Sequence, residues 1–193
     1  MNSSISHSIK HRDSPKDVFY TPRAVAITHI RSIEALPGER WYDPFAGKKI
    51  YYNNFPTDNK VCGDITDGQD FFEFNEPVDI ICTNPPYSNM DAVIKKTIEL
   101  KPRVFSYLLL EGKITPKRME MINKAGYGLT GMYMCKVFSW YGMAVAYTFT
   151  RGADNDSVKM IYDRIVHRDD IVIEERRKFI PKKKISIVQV QEE

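Results

Sequence analysis

Short apolar runs recur along the chain and predict the strands of a sheet. They lie at residues 40–42, 60–64, 78–83 and 104–110. The last run is apolar almost throughout, which is typical of a strand that is buried on both faces. Two further runs, at 132–138 and 143–150, are joined by a Ser-Trp-Tyr-Gly segment and predict a terminal hairpin.

Segments whose apolar residues have helical spacing alternate with these runs. Thr21-Pro22 resembles a helix start, with Thr21 as the cap and Pro22 at the first helical position, and this helix is predicted to extend toward Pro37-Gly38. Further helices are predicted at 49–55, 90–100 and 117–124. Strands that alternate with helices predict an α/β fold, with a mainly parallel open sheet, helices on both faces and a terminal antiparallel hairpin.

The two ends of the chain lack this pattern. Residues 1–17 are rich in Ser, His and Lys and predict a flexible arm, so the folded domain is expected at 18–150. Residues 151–193 form a basic, charge-rich extension with charge runs at 174–178 and 182–184. A charge run is usually a solvated face, and the alternative here is a patch that contacts a nucleic-acid backbone.

Composition narrows the class of protein. The 193 residues suit one domain, and 42% hydrophobic with 27% charged residues is ordinary for a globular protein. A net charge of +3 permits nucleic-acid binding without arguing for it. The three cysteines and four histidines lack metal-ligand spacing, so we expect free thiols and no metal. No stretch approaches the ~18 apolar residues of a membrane helix, so we expect a cytoplasmic protein without a membrane partner.

The most specific segment is Asn84-Pro85-Pro86-Tyr87, which directly follows the run at 78–83. Each proline fixes its φ angle near about −65°, and a residue before a proline is pushed into an extended conformation. Asn84 is therefore predicted to be held rigidly at the end of a strand, with Tyr87 just beyond it. This mount suits an amide that grips an amino group and a ring that stacks on a base. A stiff turn with a buried tyrosine is the structural alternative.

Other polar and small residues also follow predicted strands, where an open α/β sheet binds its ligands. Asp43 and Gly47 follow the first strand and Asp64 the second, and we expect Asp70-Phe71 to follow a third. A nucleoside ligand needs an acid for its ribose hydroxyls, an aromatic wall for its base and a glycine where the backbone approaches closely. The pattern therefore predicts a nucleoside-binding site.

Four segments, in this order, resemble the motifs of S-adenosylmethionine-dependent amino-methyltransferases, most closely the DNA adenine-N6 enzymes. They are Phe19-Tyr20-Thr21-Pro22, Asp43-Pro44-Phe45-Ala46-Gly47, Asp70-Phe71 and Asn84-Pro85-Pro86-Tyr87. The resemblance covers residues 18–150. It implies a Rossmann-like methyltransferase fold, S-adenosylmethionine as cofactor and DNA as substrate, in a compact form like that of phage and virus enzymes. The resemblance to such solitary enzymes implies a role in protecting DNA from restriction, in the cytoplasm of a bacterial host if the protein is encoded by a phage.

The resemblance also implies roles for the matching residues. The cofactor-binding residues would be Tyr20, Thr21, Pro22, Asp43, Pro44, Phe45, Gly47, Asp64, Asp70 and Phe71. The first three would line the methionine side of the cofactor. Asp64 would accept hydrogen bonds from the ribose hydroxyls, Asp70 would meet the adenine amino group and Phe71 would pack on the adenine ring.

Within the catalytic segment Asn84-Pro85-Pro86-Tyr87, the resemblance implies a grip on the target amine. The Asn84 side-chain oxygen and the Pro85 carbonyl would accept hydrogen bonds from the amino group, and Tyr87 would stack on the flipped base. Phe138 and Trp140 are candidates for the second stacking ring. An aromatic cluster without that role is the alternative.

Two features depart from the motifs of this family. Lys48-Lys49 follow Gly47 where a small residue is usual, and a lysine is unfavourable near a sulfonium unless it points away. Only five residues separate Asp64 from Asp70, so we expect one cofactor-flanking helix to be missing. The extension after residue 150 is also short for a recognition domain, so we expect relaxed sequence specificity or a partner subunit for target recognition.

Other functions fit the same residues. Asn-Pro-Pro-Tyr also serves enzymes that methylate RNA bases or glutamine in proteins. A degenerate methyltransferase fold that binds nucleic acid without catalysis is a third interpretation, motivated by Lys48-Lys49 and the shortened cofactor region.

Overall fold

A computed structural model of the chain describes residues 21–136 and 142–163, which form a seven-stranded sheet. The strands are β1 (Trp41–Asp43), β2 (Lys60–Cys62), β3 (Ile80–Thr83), β4 (Val104–Leu110), β5 (Tyr127–Cys135), β6 (Ala144–Arg151) and β7 (Lys159–Asp163). Their order across the sheet is β2-β1-β3-β4-β6-β5-β7. Strands β1 to β4 pair in parallel, whereas β6 pairs antiparallel with both β4 and β5. The predicted parallel sheet with an antiparallel hairpin is confirmed.

Helices cover both faces of this sheet. They are α1 (Arg23–Arg31), α2 (Ile50–Asn54), α3 (Met90–Leu100) and α4 (Pro116–Lys124). Side chains alternate between the two faces along a strand, so Trp41 packs in one core cluster with α1 and α2, and Tyr42 packs in another with α3 and α4. Ile80 and Ile81 divide in the same way. Among the described helices, none is long and apolar enough to cross a membrane.

The start of α1 differs from the prediction. The helix begins at Arg23 after Pro22, and no side chain caps it. The prediction of Thr21 as the cap is therefore wrong. Its hydroxyl has a distant partner instead, the side-chain amide of Asn84. The Thr21 hydroxyl therefore bonds a residue far along the chain, and does not cap the helix that follows it.

The predicted third strand before Asp70 is also wrong. The described chain has single-turn 3-10 helices there, at Ile65–Asp67 and Phe71–Glu73. Each begins where an aspartate side chain, of Asp64 or Asp70, accepts a hydrogen bond from the backbone two residues later. Such local bonds favour turns over strands. Between Asp64 and Asp70 the described chain has no α-helix, as the short spacing predicted.

The hairpin and the region after it also differ in extent. β5 begins at Tyr127 and not at residue 132, because two glycines interrupt its apolar pattern without ending the strand. Gly128 is needed there, since a Cβ at this position would lie 2.2 Å from the Ala153 carbonyl oxygen. β7 was not predicted and extends the sheet beyond residue 150. The flexible arm at 1–17 and most of the predicted extension lie outside the described residues, so the domain limits stay predictions.

Candidate active site at the carboxyl ends of the strands

The segment Asn84-Pro85-Pro86-Tyr87 connects β3 directly to α3. Pro86 is extended, with φ −64° and ψ 132°, and the next three residues form a single 3-10 turn that leads into the helix. Pro85 is buried, while Asn84 and Tyr87 are half-buried. The prolines therefore fix a polar amide and an aromatic ring at the end of a central strand, as the sequence predicted.

The Asn84 side chain has defined partners on both sides of its amide. Its Nδ2 donates to Thr21 Oγ1 at 3.1 Å, and its Oδ1 accepts from the Tyr87 hydroxyl at 3.2 Å. Thr21 is 8% exposed, so the first of these bonds is shielded from water. The amide orientation that results directs its oxygen, and not its nitrogen, toward Tyr87. The same oxygen is the acceptor that a target amine would use.

The Tyr87 ring lies beside a cation. Lys113 Nζ is 5.6 Å from the ring centroid, in the range of a cation–π contact. Lys113 lies in the loop after β4, the strand next to β3 in the sheet. The ring therefore faces a positive charge from an adjacent strand end, and sequence analysis gave no sign of this contact.

Asp43 ends β1 and is fully buried. Its Oδ1 accepts a hydrogen bond from the Thr83 hydroxyl at 2.7 Å, while Oδ2 has no partner among the described residues. Burial raises the pKa of this carboxyl to about 7, although the Thr83 bond acts in the opposite direction. Asp43 thus connects the end of β1 to the end of β3 beneath the surface, with Pro44 buried beside it.

The loop after β1 is fixed to the loop after β2 by three hydrogen bonds. Gly63 N donates to the Asp43 carbonyl at 2.9 Å, and Ala46 N donates to the Gly63 carbonyl at 3.0 Å. Gly47 N donates to Asp64 Oδ2 at 2.7 Å. Gly47 has φ 47°, in the left-handed region, so this turn favours glycine. The predicted pairing of a glycine turn with an acid at adjacent strand ends is present.

Asp64 is an ionised carboxylate with a structural task. Its Oδ1 accepts from both the amide and the hydroxyl of Thr66, at 2.9 and 2.6 Å. Partial burial raises the pKa of Asp64, but the bonds from Thr66 and Gly47 outweigh it and hold the pKa below its ordinary value. A carboxylate has about four acceptor positions, so Asp64 retains capacity for a further donor. Its contact with ribose hydroxyls stays a prediction.

The aromatic residues after Asp70 divide between core and surface. Phe71 is 2% exposed, with its ring 5.2 Å from Phe45 and 6.2 Å from Tyr42. Phe72 is 38% exposed. Of Phe71 and Phe72, Phe72 is therefore the side chain that a ligand can reach in this conformation, and a direct contact between Phe71 and a cofactor stays a prediction. Phe71, the residue of the sequence motif, therefore lies in the core, and its ring packs 5.6 Å from the ring of exposed Phe72.

Ile65 is the clearest residue that sequence analysis missed. It directly follows Asp64 and is 72% exposed, although it is a large apolar residue. Together with Phe72 it places exposed apolar surface on the two 3-10 turns that follow β2 in the chain. An isolated apolar residue within Asp-Ile-Thr-Asp-Gly, outside any periodic pattern, was the available signal.

Two lysines in the loop after β1, Lys48 and Lys49, are exposed, and Lys49 extends toward the loop after β2. Lys49 Nζ lies 3.8 Å from Asp67 Oδ2, on the neighbouring 3-10 turn. This contact pairs the Lys49 ammonium with a carboxylate at the surface. Three predicted site residues, Tyr20, Phe138 and Trp140, lie outside the described residues.

Comparison with known proteins identifies the fold. No family model matches the sequence, and a search of curated proteins finds no match. A candidate class I S-adenosylmethionine-dependent methyltransferase from Listeria monocytogenes superimposes with a TM-score of 0.59 at 13% identity, over 88% of this chain and 73% of that one. A candidate RNA methyltransferase from Pyrococcus horikoshii gives 0.52 at 14% identity, over 80% and 99%.

A modification subunit of a candidate type I restriction enzyme from Vibrio vulnificus gives a TM-score of 0.52 at 14% identity, over 93% of this chain and 58% of that one. At such identities the likeness concerns the fold. The chain therefore has the Rossmann-like fold of S-adenosylmethionine-dependent methyltransferases, and the candidate site lies at the carboxyl ends of its central strands.

Proposed function

We propose that the protein transfers a methyl group from S-adenosylmethionine to the exocyclic N6 amino group of adenine in DNA. The observation that carries this proposal is the setting of Asn84 at the end of β3. Its amide is held from behind by Thr21, and its oxygen lies beside a half-buried tyrosine ring. Both groups stand on a rigid proline segment, which is the mount that a flipped base with an amino group needs.

Asn84 and Pro85 act on the amine by positioning it. An exocyclic amine on an aromatic ring is a poor nucleophile, because its lone pair is delocalised into the ring. The Asn84 side-chain oxygen and the Pro85 carbonyl accept its two N–H bonds, which favours a pyramidal nitrogen with a directed lone pair. The rate gain comes from orientation and fixed dipoles, so it requires no basic side chain.

Tyr87 has two tasks in this proposal. Its ring stacks on the flipped base and offsets part of the cost of unstacking, since base–aromatic stacking is worth about 1–3 kcal/mol. In the free protein its hydroxyl occupies the Asn84 oxygen, at 3.2 Å. The incoming amine therefore shares this acceptor or displaces the hydroxyl, and the carbonyl oxygen's second lone pair permits sharing.

The residues around the glycine loop fit the cofactor. Gly47 provides a tight turn, Asp64 has acceptor capacity left for ribose hydroxyls, and Ile65 with Phe72 provides apolar surface for adenine. Asp70 would meet the adenine amino group. When bound, S-adenosylmethionine would supply the methyl group of its sulfonium and leave as the neutral thioether, while the target nitrogen would release one of its two protons. The protein's own residues hold the cofactor and exclude water from the amine.

The choice of DNA has separate support. The order of the four motifs is that of DNA adenine-N6 enzymes, and the fold is shared with a restriction-enzyme modification subunit. The same fold likeness extends to a candidate RNA methyltransferase, so the substrate polymer has to be measured. A partner subunit that supplies target recognition belongs to the same proposal.

Nucleoside analysis of cells that express the protein tests the function. DNA from cells with the wild type should contain N6-methyladenine, and DNA from cells with Asn84→Ala should contain none above background. Asn89→Ala is the matched control, because Asn89 is an exposed asparagine nearby whose side chain does not cap α3. Methylated RNA or protein without methylated DNA would show that the substrate belongs to that class of molecule and is not DNA. Full activity in Asn84→Ala would overturn the catalytic assignment.

Calorimetry separates catalysis from a binding module. The wild type should bind S-adenosylmethionine, and Asn84→Ala should retain that binding because Asn84 faces the target amine. Absence of binding at millimolar cofactor, with nucleic acid still bound, would contradict the proposal and favour a non-catalytic module.

A further inference from the structure

The ammonium of Lys113 lies over a face of the Tyr87 ring, with Nζ 5.6 Å from the ring centroid. Both side chains are half-buried, and the Tyr87 ring also packs against the core cluster that contains Met90. Tyr87 is the residue proposed above to stack on the target base. In the free protein, a cation therefore covers a ring face that a base could use.

The backbone of Lys113 is held on both sides. Its N–H donates to the Leu110 carbonyl at 3.2 Å, which closes a turn at the end of β4. Its carbonyl accepts from Arg118 Nη1 at 2.6 Å, and Arg118 Nε donates to Asp91 Oδ1 on α3, also at 2.6 Å. The backbone is thus anchored to α3 and α4, whereas the ammonium stands on a flexible aliphatic stem and can change direction.

Lysines without a carboxylate partner collect at this edge of the sheet. Lys113 follows β4, Lys136 follows β5 and Lys117 lies in the first turn of α4. Within the described part of the chain, none of the three takes part in an ion pair. By contrast Arg40 and Arg103, at the amino ends of β1 and β4, are both paired with glutamates. The unbalanced positive charge at the carboxyl edge fits a polyanion such as the DNA backbone.

The contact between Lys113 and the ring is weaker than the contacts that DNA offers in exchange. A cation–π contact at a partly exposed site is worth less than the stacking of a base on an aromatic ring. A phosphate beside a lysine ammonium accepts a charge-assisted hydrogen bond, and the pairing releases a counterion from the DNA. DNA supplies a base for the ring and an anion for the ammonium together, so it can separate the two.

We propose that Lys113 covers the stacking face of Tyr87 in the free protein and transfers to a backbone phosphate of the DNA when the target base stacks on this ring. Lys113 is then a phosphate-binding residue whose position is linked to the entry of the base. Since the ring and the ammonium exchange partners together, a base without a neighbouring phosphate is a poorer ligand. The identity of the base rests on the proposed function, whereas the exchange itself can be measured without methyl transfer.

Nuclear magnetic resonance tests the exchange of partners. In protein with 13C-labelled lysine, the ε-methylene signals of Lys113 are assigned by their absence in Lys113→Gln. They should lie upfield of ordinary lysine signals because of the Tyr87 ring, and should move downfield in Tyr87→Leu and on addition of an oligodeoxyadenylate. Lys60 is the internal control, because its Nζ lies 5.0 Å from the Tyr52 ring at the other end of β2. Its signals should not change when the DNA is added.

The salt dependence of DNA binding tests the phosphate contact. For the same oligodeoxyadenylate, the slope of log affinity against log salt concentration should be smaller in Lys113→Gln by about 0.7, the value for one phosphate of a single strand. Lys113→Arg keeps the charge and should keep the slope. Lys60→Gln is the matched control, since it removes a contact of the same kind with Tyr52, and its slope should equal that of the wild type.

Three results would overturn the proposal. They are ordinary lysine shifts for Lys113 in the free protein, Lys113 signals that stay upfield in the DNA complex, and a salt slope in Lys113→Gln equal to that of the wild type. A wild type that does not bind the oligodeoxyadenylate would overturn both this inference and the choice of DNA as substrate.

Methyl transfer separates this inference from the proposed function. Lys113→Gln should raise the KM for DNA several-fold with little change in kcat, because the ammonium binds a phosphate and not the amine. If the wild type exchanges Lys113 as expected but transfers no methyl group, the proposed function fails and the role of Lys113 in binding stands. If the wild type is active and Lys113→Gln has the same KM, the role of Lys113 fails and the proposed function stands.

Discussion

The two halves of the candidate site are built in different ways. On the target-amine side, Asn84 stands on a proline segment and is bonded to a buried threonine. On the proposed cofactor side lie two 3-10 turns of three residues each, whose large apolar residues Ile65 and Phe72 are exposed. One half is anchored in the core, and the other is held by local hydrogen bonds at the surface.

Because of this difference, we expect the first half to control the orientation of the target amine and the second half to control the affinity for the cofactor. A group that directs a lone pair must keep its position, and burial with satisfied partners provides that rigidity. A wall that contacts a ligand through apolar surface can adjust, because such contacts are not directional. We therefore expect substitutions in the first half to lower the rate, and substitutions in the second to lower binding.

The largest expected effect concerns Asp43, which connects the two halves. Its pKa is about 7 in the folded protein and near the ordinary 3.8 when unfolded. Between these values the folded state keeps a proton that the unfolded state has lost, so stability falls by about 1.4 kcal/mol per pH unit as pH rises. The whole window amounts to on the order of 4 kcal/mol.

Asp43→Asn removes this titration. In urea unfolding at pH 4, 6 and 8, the free energy of unfolding of the variant should increase relative to that of the wild type as pH rises. Asp58→Asn, an exposed aspartate, should follow the wild type at every pH. A wild type–Asp43→Asn difference that is constant with pH would show that Asp43 is ionised in the fold.

The next effect concerns the Tyr87 ring. Tyr87→Ala should lower kcat/KM roughly ten- to hundredfold, because it removes a stacking contact of about 1–3 kcal/mol. Tyr87→Phe keeps the ring and frees the Asn84 oxygen from the hydroxyl, so it should stay within about threefold of the wild type. Steady-state methyl transfer measures both. An equal loss of kcat/KM in the two variants would show that the hydroxyl of Tyr87, and not its ring, is needed for the function.

Asp64→Ala should weaken cofactor binding about tenfold, since it removes the bond that holds Gly47 and a predicted ribose contact. Isothermal titration with S-adenosylmethionine measures the change. Asp67→Ala is its control. Among the ion pairs of the described residues, the Asp67 carboxylate takes part in one, with the Lys49 side chain at the surface. Equal effects of the two variants would argue against a specific role for Asp64.

The smallest effect concerns Ile65. Ile65→Ser should weaken cofactor binding about fivefold through lost apolar contact, without changing stability, because the side chain is already exposed in the free protein. Leu36→Ser serves as control, since Leu36 is 58% exposed elsewhere on the surface and should bind cofactor as the wild type does. Unchanged binding in Ile65→Ser would remove this residue from the adenine wall.

Local signals predicted the regular part of the fold well. α3 and β4 have the predicted bounds, because an apolar pattern and a flanking Lys-Pro pair define them without help from the rest of the chain. Thr115 caps α4, with its hydroxyl accepting from Arg118 N. By contrast β7, with exposed Met160 and Tyr162, depends on pairing with β5 and has no comparable local pattern.

Distant contacts explain what the sequence could not predict at the site. Thr21 fails as a cap because its partner lies 63 residues away. His29 has no recognisable motif, and its environment is set by Ser106, 77 residues further along the chain. Asn84-Pro85-Pro86-Tyr87 could be placed correctly because the strand, the prolines and the functional groups are contiguous.

The buried hydrogen-bond series of Thr148, Ser106, His29 and Tyr51, which joins β6 and β4 to α1 and α2, constrains how this sequence can change. Replacing one member leaves its neighbours with an unsatisfied donor or acceptor, whereas replacing two adjacent members by apolar residues removes the bond altogether. Substitutions along the series should therefore be strongly non-additive. Related sequences are expected to keep the series whole or to lose adjacent members together, so covariation among these positions would record how α1 and α2 are held on the sheet.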